Sequence, residues 1–240
     1  MKLAKIVVGL KVVAAGTLVG ACAGKPAEPQ RAAETAGDER EEDASNDSLT
    51  VQGLRGTLSQ YEVQNALEPR MPKFARCVQK RSGEVEWLSG HVSLEFHVNL
   101  DGSVASVYPR ESSMGDRATE RCIGEVAKGT RFPAPHGGEA DFAWSLDVPL
   151  DDTVREPVAL TGADVAEALV QHIPLLESAC GAGSYGVTAY VDPEGKVVAA
   201  GVSAGDQTSA AKLDCVSETV QNFVFASPGS YAAKVTFSIP

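Results

Sequence analysis

The sequence predicts an α+β protein made of two tandem copies of one small module, each in the order α-β-β-α-β. Three observations carry this. The first is internal repetition: residues 102–132 return, without a gap, at residues 195–225. Gly102 meets Gly195, Val104 meets Val197, Cys122 meets Cys215, Glu125 meets Glu218 and Phe132 meets Phe225. These matches fall on a turn glycine, the first apolar residue of a strand, a helix cysteine and an aromatic stop, the pattern of a duplicated unit. The second is strict alternation of apolar and polar residues, the signature of a half-buried strand. The third is a pair of cysteines per copy, each on an apolar stripe with helical spacing.

The first copy, residues 58–150, opens with Val63, Ala66, Leu67, Phe74, Cys77 and Val78 near helical spacing. Pro72 is expected to kink this helix or to open a fresh turn. Gly83 closes the segment. Val92, Leu94, Phe96 and Val98 then point one way, and Ser93, Glu95, His97 and Asn99 the other. Asp101-Gly102 supplies a hairpin turn, and residues 103–108 return as the second strand. Ser112 or Ser113 is expected to cap the next helix. The stripe of that helix is Ala118, Cys122, Ile123 and Val126, and Gly129 stops it. Gly129 falls on Asn222 of the second copy, and both residue types tolerate the left-handed conformation past a helix end. Phe142, Trp144, Leu146 and Val148 alternate as the last strand, with Trp144 in the core.

The second copy, residues 158–240, repeats the scheme. Asp164-Val165 and Ala168-Leu169 echo Glu62-Val63 and Ala66-Leu67, and Pro174 echoes Pro72. Tyr185, Val187, Ala189 and Val191 alternate, and Glu194-Gly195 turns the hairpin. The second helix carries Ala211, Cys215, Val216, Thr219 and Val220. The last strand carries Tyr231, Ala233, Val235, Phe237 and Ile239. Residues 151–157 join the copies, a connection short enough to keep them adjacent.

Residues 1–21 read as an export signal: Lys2 and Lys5 precede a short apolar run of small residues. The run is interrupted by Lys11 and falls short of the ~20 apolar residues of a spanning helix. Its end, Leu18-Val19-Gly20-Ala21-Cys22, resembles the bacterial lipobox, which implies that Cys22 is acylated and becomes the mature N-terminus. Ala23 stands where an inner-membrane retention signal would place Asp, and the resemblance therefore favours the outer membrane, facing the periplasm. The alternative is an ordinary signal-peptidase site with an incidental cysteine beside it.

The chain has five cysteines, Cys22, Cys77, Cys122, Cys180 and Cys215. An odd count in an exported chain leaves a stray thiol; lipid on Cys22 leaves four, two per copy. An oxidising compartment favours disulfides. Of the three connectivities, only Cys77 with Cys122 and Cys180 with Cys215 respects the duplication. No two cysteines stand in C-x-x-C spacing, so neither a redox motif nor a zinc ribbon is indicated.

Residues 22–57 are expected to form a disordered acidic tether. Residues 24–48 hold no aromatic and no large aliphatic side chain, and residues 38–47 are nearly all charge. A coil of this length spans roughly 30 Å, a flexible spacer between membrane and modules. The formal net charge of −11 opposes nucleic acid and anionic headgroups, since both are held by Lys and Arg.

The order helix with cysteine, G-x-V hairpin, helix with cysteine, Phe-Pro, final strand resembles the TonB C-terminal-like domain, in the variant named for the AgmX/PglI C-terminal domain of myxobacterial envelope and gliding-motility proteins. The residues that carry the likeness are Cys77, Gly90, Asp101, Gly102, Val104, Ser112, Ser113, Cys122, Phe132 and Pro133, then Cys180, Gly195, Val197, Cys215 and Phe225. Val78 and Gly181 stand where the family has Tyr, and neither copy has the family's Pro-Phe pair in the final strand. The resemblance implies a protein-binding module rather than an enzyme, with partner segments added at a sheet edge. A TonB protein also needs a spanning helix to couple to an ion-driven motor, so this chain is not expected to transduce energy by itself.

The residues themselves suggest little catalysis. His91, His97, His136 and His172 do not stand at ligand spacing, and no metal or small-molecule cofactor is expected. Ser112, Ser113 and Asp116 could pair a nucleophile with an acid, but helix capping explains them better. Gly181-Ala182-Gly183 does not lie between a strand and a helix as a phosphate loop would. The expectation is a non-enzymatic envelope lipoprotein that binds or scaffolds other envelope proteins. The alternatives are a small envelope hydrolase or carbohydrate-binding protein using the loop that holds Trp87, and a structural element without a discrete ligand.

Overall fold

The alternating segments do form hairpins, and each hairpin is the centre of its own sheet. The computed structural model describes residues 55–240. The export signal, Cys22 and the tether up to residue 54 lie outside the described residues. The first half comprises β1 (Arg55–Gly56), α1 (Gln60–Leu67), a 3₁₀ turn (Glu68–Arg70), α2 (Met71–Arg81), β2 (Gly90–Val98), β3 (Val104–Ser112), α3 (Arg117–Lys128) and β4 (Glu139–Val148). The second comprises β5 (Val158–Thr161), α4 (Ala166–Cys180), β6 (Tyr185–Val191), β7 (Val197–Ala204), α5 (Gln207–Ala210), α6 (Leu213–Val220) and β8 (Ala233–Ile239). The protein is thus α+β, with two four-stranded sheets ordered β1-β4-β2-β3 and β5-β8-β6-β7.

Each half has one strand more than the sequence suggests. β1 lies parallel to β4 with Arg55 opposite Glu139, and β5 lies parallel to β8 with Val158 opposite Ala233. Neither strand is long enough to show a period of two, so the pattern could not announce it. The consequence is functional. The outer side of the last strand, free in a three-stranded sheet, is covered in part by the chain itself: at residues 139–140 of β4 and at residues 233–236 of β8. The tether also ends earlier than residue 57, because Arg55, Gly56 and Thr57 are already paired.

Helix entry follows local chemistry. Ser59 and Glu62 form a reciprocal capping box at α1, which satisfies two backbone donors that have no partner inside the helix. Pro69 lies in the 3₁₀ turn, Pro72 opens α2, and the expected kink is there. α4 instead runs through Pro174 as one helix. The cap of α3 is neither Ser112 nor Ser113 but Asp116, which accepts from the Thr119 amide at 2.9 Å. The serines are committed elsewhere: Ser113 Oγ accepts from the His91 amide, and Ser112 Oγ donates to Glu120. Gly129 ends α3 with φ −78°, not in the left-handed region, so its freedom is not what stops the helix. Tyr231 lies just ahead of β8 rather than in it.

The predicted faces of the central strands are buried, but the helix stripes only in part: Ala118, Cys122 and Val126 are half-buried and Ala211 is exposed. Val92, Leu94, Phe96 and Val98 are wholly enclosed, as are Phe74 and Ile123, and Trp144 packs against Phe74. In the second half Val187, Ala189, Val191, Val202, Val216 and Val235 play the same part. Each large side chain so enclosed stabilises by about 1.5–3 kcal/mol; truncating Phe96 to Ala would cost about 3–5 kcal/mol. Cys77 joins Cys122, tying α2 to α3 with Cα atoms 5.6 Å apart, and Cys180 joins Cys215, tying α4 to α6 at 5.8 Å. No helix among the described residues is long and apolar enough to cross a membrane.

Candidate functional site

In the second sheet β6 and β7 are largely buried on both faces, which a single module does not require. Val187, Ala189 and Val191 face its own helices, yet Thr188, Tyr190, Ala199, Gly201 and Ser203, on the opposite face, are buried too. The first half covers them. Small residues permit the approach. A Cβ on Gly115 would lie 2.7 Å from the Tyr190 ring, and a Cβ on Gly201 would lie 2.3 Å from Glu120 Oε1.

Polar groups close this seam at both ends. At one end the Tyr190 hydroxyl donates to the Trp87 carbonyl at 2.7 Å, and Trp87 Nε1 donates to the Tyr231 hydroxyl at 2.9 Å. Lys234 Nζ donates to the Ser89 carbonyl at 2.8 Å, and burial pulls its pKa down to about 8. At the other end Glu120 reaches from α3 to the edge of β7. Its carboxylate accepts from Ser112 Oγ at 2.5 Å and from the Val202 amide at 2.9 Å. Burial pushes its pKa up to about 7. Beside it, burial raises the Asp116 carboxyl, but bonds from Arg81 and Thr119 outweigh this and hold it below the ordinary value.

A groove of about 550 Å³ opens next to this contact. One wall is β3 at residues 105–109, the second is α3, and the third is α5 with the start of α6. β3 is the outer strand of its sheet, and its pairing partner among the described residues is β2. Ser113 donates to the His91 carbonyl and Asn99 donates to the Ser103 carbonyl. That parity turns the backbone N–H and C=O of Val107, which lies opposite Phe96, away from β2 and toward the groove. Pro109 brings no N–H to the same edge and ends the pairable stretch. Arg117, Arg121 and Lys128 line the α3 wall, with Glu125 the exposed acid among them. Arg117 Nε donates to Asp214 at 2.7 Å, and Lys128 Nζ donates to the Val104 and Ala105 carbonyls.

The residues singled out from sequence are distributed as follows. The four cysteines form the two disulfides. Trp87 is half-buried in the seam, its N–H spent on Tyr231 and its ring against Tyr190. His91 bonds Asp147, His97 bonds Asp141, and His172 stacks on Phe223. Asp116 is taken by Arg81 at 2.9 Å, so it does not poise Ser112 or Ser113. Among the described residues no group of three His, Cys, Asp or Glu side chains is placed to hold a metal ion.

Glu120, Tyr190, Gly201 and Arg121 were not foreseen. One signal existed for Glu120: its repeat counterpart is Leu213, an apolar core residue. A carboxylate on the inward side of an otherwise apolar helix stripe marks a burial that another part of the chain must satisfy. Compared with known proteins, the chain matches no family, no curated sequence and no solved structure.

Proposed function

We propose that this chain is a lipid-anchored protein of the bacterial envelope, acylated at Cys22 and facing the periplasm from the outer membrane. In this reading its two halves are TonB C-terminal-like domains, residues 58–150 and 158–240, and they bind another envelope protein without catalysis. Two disulfides fit an oxidising compartment. The lipobox-like residues 18–22 supply the anchor. The observation that carries the binding reading is the outer edge of β3: the N–H and C=O of Val107 point away from β2, have no strand partner among the described residues and face the groove that β3 walls. An extended segment added there would gain main-chain hydrogen bonds. β1 pairs with β4 at residues 139–140 and β5 with β8 at residues 233–236; the β3 edge is preferred because it also forms a wall of the groove.

The test is site-specific photocrosslinking in the living envelope. A benzophenone side chain replaces Arg121 or Gln207 on the groove, or Ser145 on the open face of the first sheet. The same envelope protein is expected at both groove positions and not at Ser145. Val107→Pro, which removes an outward N–H from β3, should abolish that crosslink while both disulfides still form. Crosslinks confined to Ser145, or untouched by Val107→Pro, would remove the strand-addition reading.

A further inference from the structure

Glu120 is the one fully enclosed carboxylate at the seam among the described residues, and it belongs to the groove wall as well. Two donors meet it, one from each half: the Ser112 hydroxyl at 2.5 Å and the Val202 amide at 2.9 Å. The nearest guanidinium, on Arg117, is 3.9 Å away and already engaged with Asp214 of α6. The absence of a side chain at Gly201 is what lets Oε1 fit at all, and the Glu120 side chain has no exposed surface while the halves are in contact. An ionised carboxylate placed so is costly unless it is paired or hydrated.

The other charged groups around it do not supply the missing compensation. From the start of α3, Asp116 is held by Arg81 of α2, which also pairs with Glu84. From β3, Arg110 pairs with Glu95. From α6, Asp214 answers Arg117, while Lys212 just ahead of it donates to the Ala182 carbonyl. β7 contributes neutral Gly201, Val202 and Ser203, and β6 contributes the Tyr190 hydroxyl, spent on Trp87.

The structure assigns Glu120 the role of a proton-controlled latch on the groove, a regulation that rests on the groove being the binding site. With its proton, Glu120 keeps β7 closed on α3. When the proton leaves for solvent, the charge is relieved by separating Val202 from Glu120 and admitting water. α5 and α6 move with β7, the wall opposite α3 retreats, and the partner's segment gains or loses its fit with pH.

Amide hydrogen exchange of the full chain, read by NMR at Val202 and corrected for intrinsic rates, tests this without a partner. A carboxyl at about 7 when closed that returns to its ordinary value on opening raises the opening constant about twentyfold between pH 5.5 and 7.5. Val202 protection should fall by that factor, and protection at Val187 in the middle of β6 should not. In Glu120→Gln the Val202 response should be flat. In Ser112→Ala, which removes a bond favouring the charged form, the transition should move to higher pH. Unchanged Val202 protection, or a fall that persists in Glu120→Gln, overturns the latch and leaves the crosslinking result to judge the groove. A Val202 transition with no groove crosslink supports the latch and overturns the groove as the binding site.

Discussion

The amide of Phe132 donates to the carbonyl of Gly102 at 2.9 Å, and the amide of Phe225 donates to the carbonyl of Gly195 at 2.8 Å. The repeated glycine and the repeated aromatic therefore hold each other in both copies. Each bond ties the hairpin turn to the segment leaving the second helix. Both glycines are in the left-handed region, at φ +80° and +86°.

Replacing either glycine by alanine should be costly for two reasons. The φ favours glycine, and the new Cβ would lie 2.0 Å from Phe132 O or 2.1 Å from Phe225 O. Strain of this kind is expected to remove about 2–3 kcal/mol. Denaturant titration of Gly102→Ala and Gly195→Ala should show losses of similar size. A loss in one copy alone would mean that the turn does not have the same role in both.

Much of this architecture was legible in the sequence because it depends on local periodicity. Val92 to Val98 and Val187 to Val191 alternate, and their faces are buried as that alternation requires. β1 and β5 were not legible, since a strand of two or four residues carries no period. The seam was not legible either. Thr188 and Gly201 look like solvent-facing residues until a second module is laid on them, no local rule reports that, and Glu120 betrays its burial only when set against Leu213 of the other copy. The cap of α3 was misplaced for a related reason: the hydroxyl of Ser112 serves Glu120, a contact between side chains eight positions apart.

Stability should vary with pH in a way set by two buried groups at the seam. Glu120 has its folded pKa raised by burial, to about 7 from 4.5. Its contribution is whole below about 4.5 and is lost as pH rises through about 7, a change of about 3 kcal/mol. Lys234 has its folded pKa lowered by burial, to about 8 from 10.5. Its contribution is present above about 10.5 and is lost as pH falls through about 8. The two together place a stability minimum between pH 7 and 8. Chemical denaturation from pH 4.5 to 10 should show it, and Glu120→Gln should remove the fall on its acid side.

Gly201→Val should separate the halves without unfolding them. The added side chain meets Glu120 Oε1 and the backbone of Gly115 and Asp116, and overpacking of this sort costs about 1–3 kcal/mol. NMR should show changes at Thr188, Tyr190 and Trp87 while Phe96 and Val216, deep in the two cores, keep their shifts. Loss of dispersion throughout the spectrum would instead mean that the cores depend on the seam.

Removing one disulfide should weaken its own half. The bridges close loops of 45 and 35 residues, and each is expected to contribute up to about 4 kcal/mol. Exchange in the Cys77→Ser, Cys122→Ser double variant should accelerate first at Phe74 and Ile123, with Val187 following only if the halves unfold as one.

The central claim is that lipid takes the N-terminal sulfur and that the other four close two sister halves. Mass spectrometry of the exported protein, digested without reduction, addresses it directly. The expected peptides are one linking Cys77 to Cys122, one linking Cys180 to Cys215, and an N-terminal peptide beginning at Cys22 with its acyl chains. A bridge between the halves, or an unmodified Cys22 in the mature chain, would contradict it.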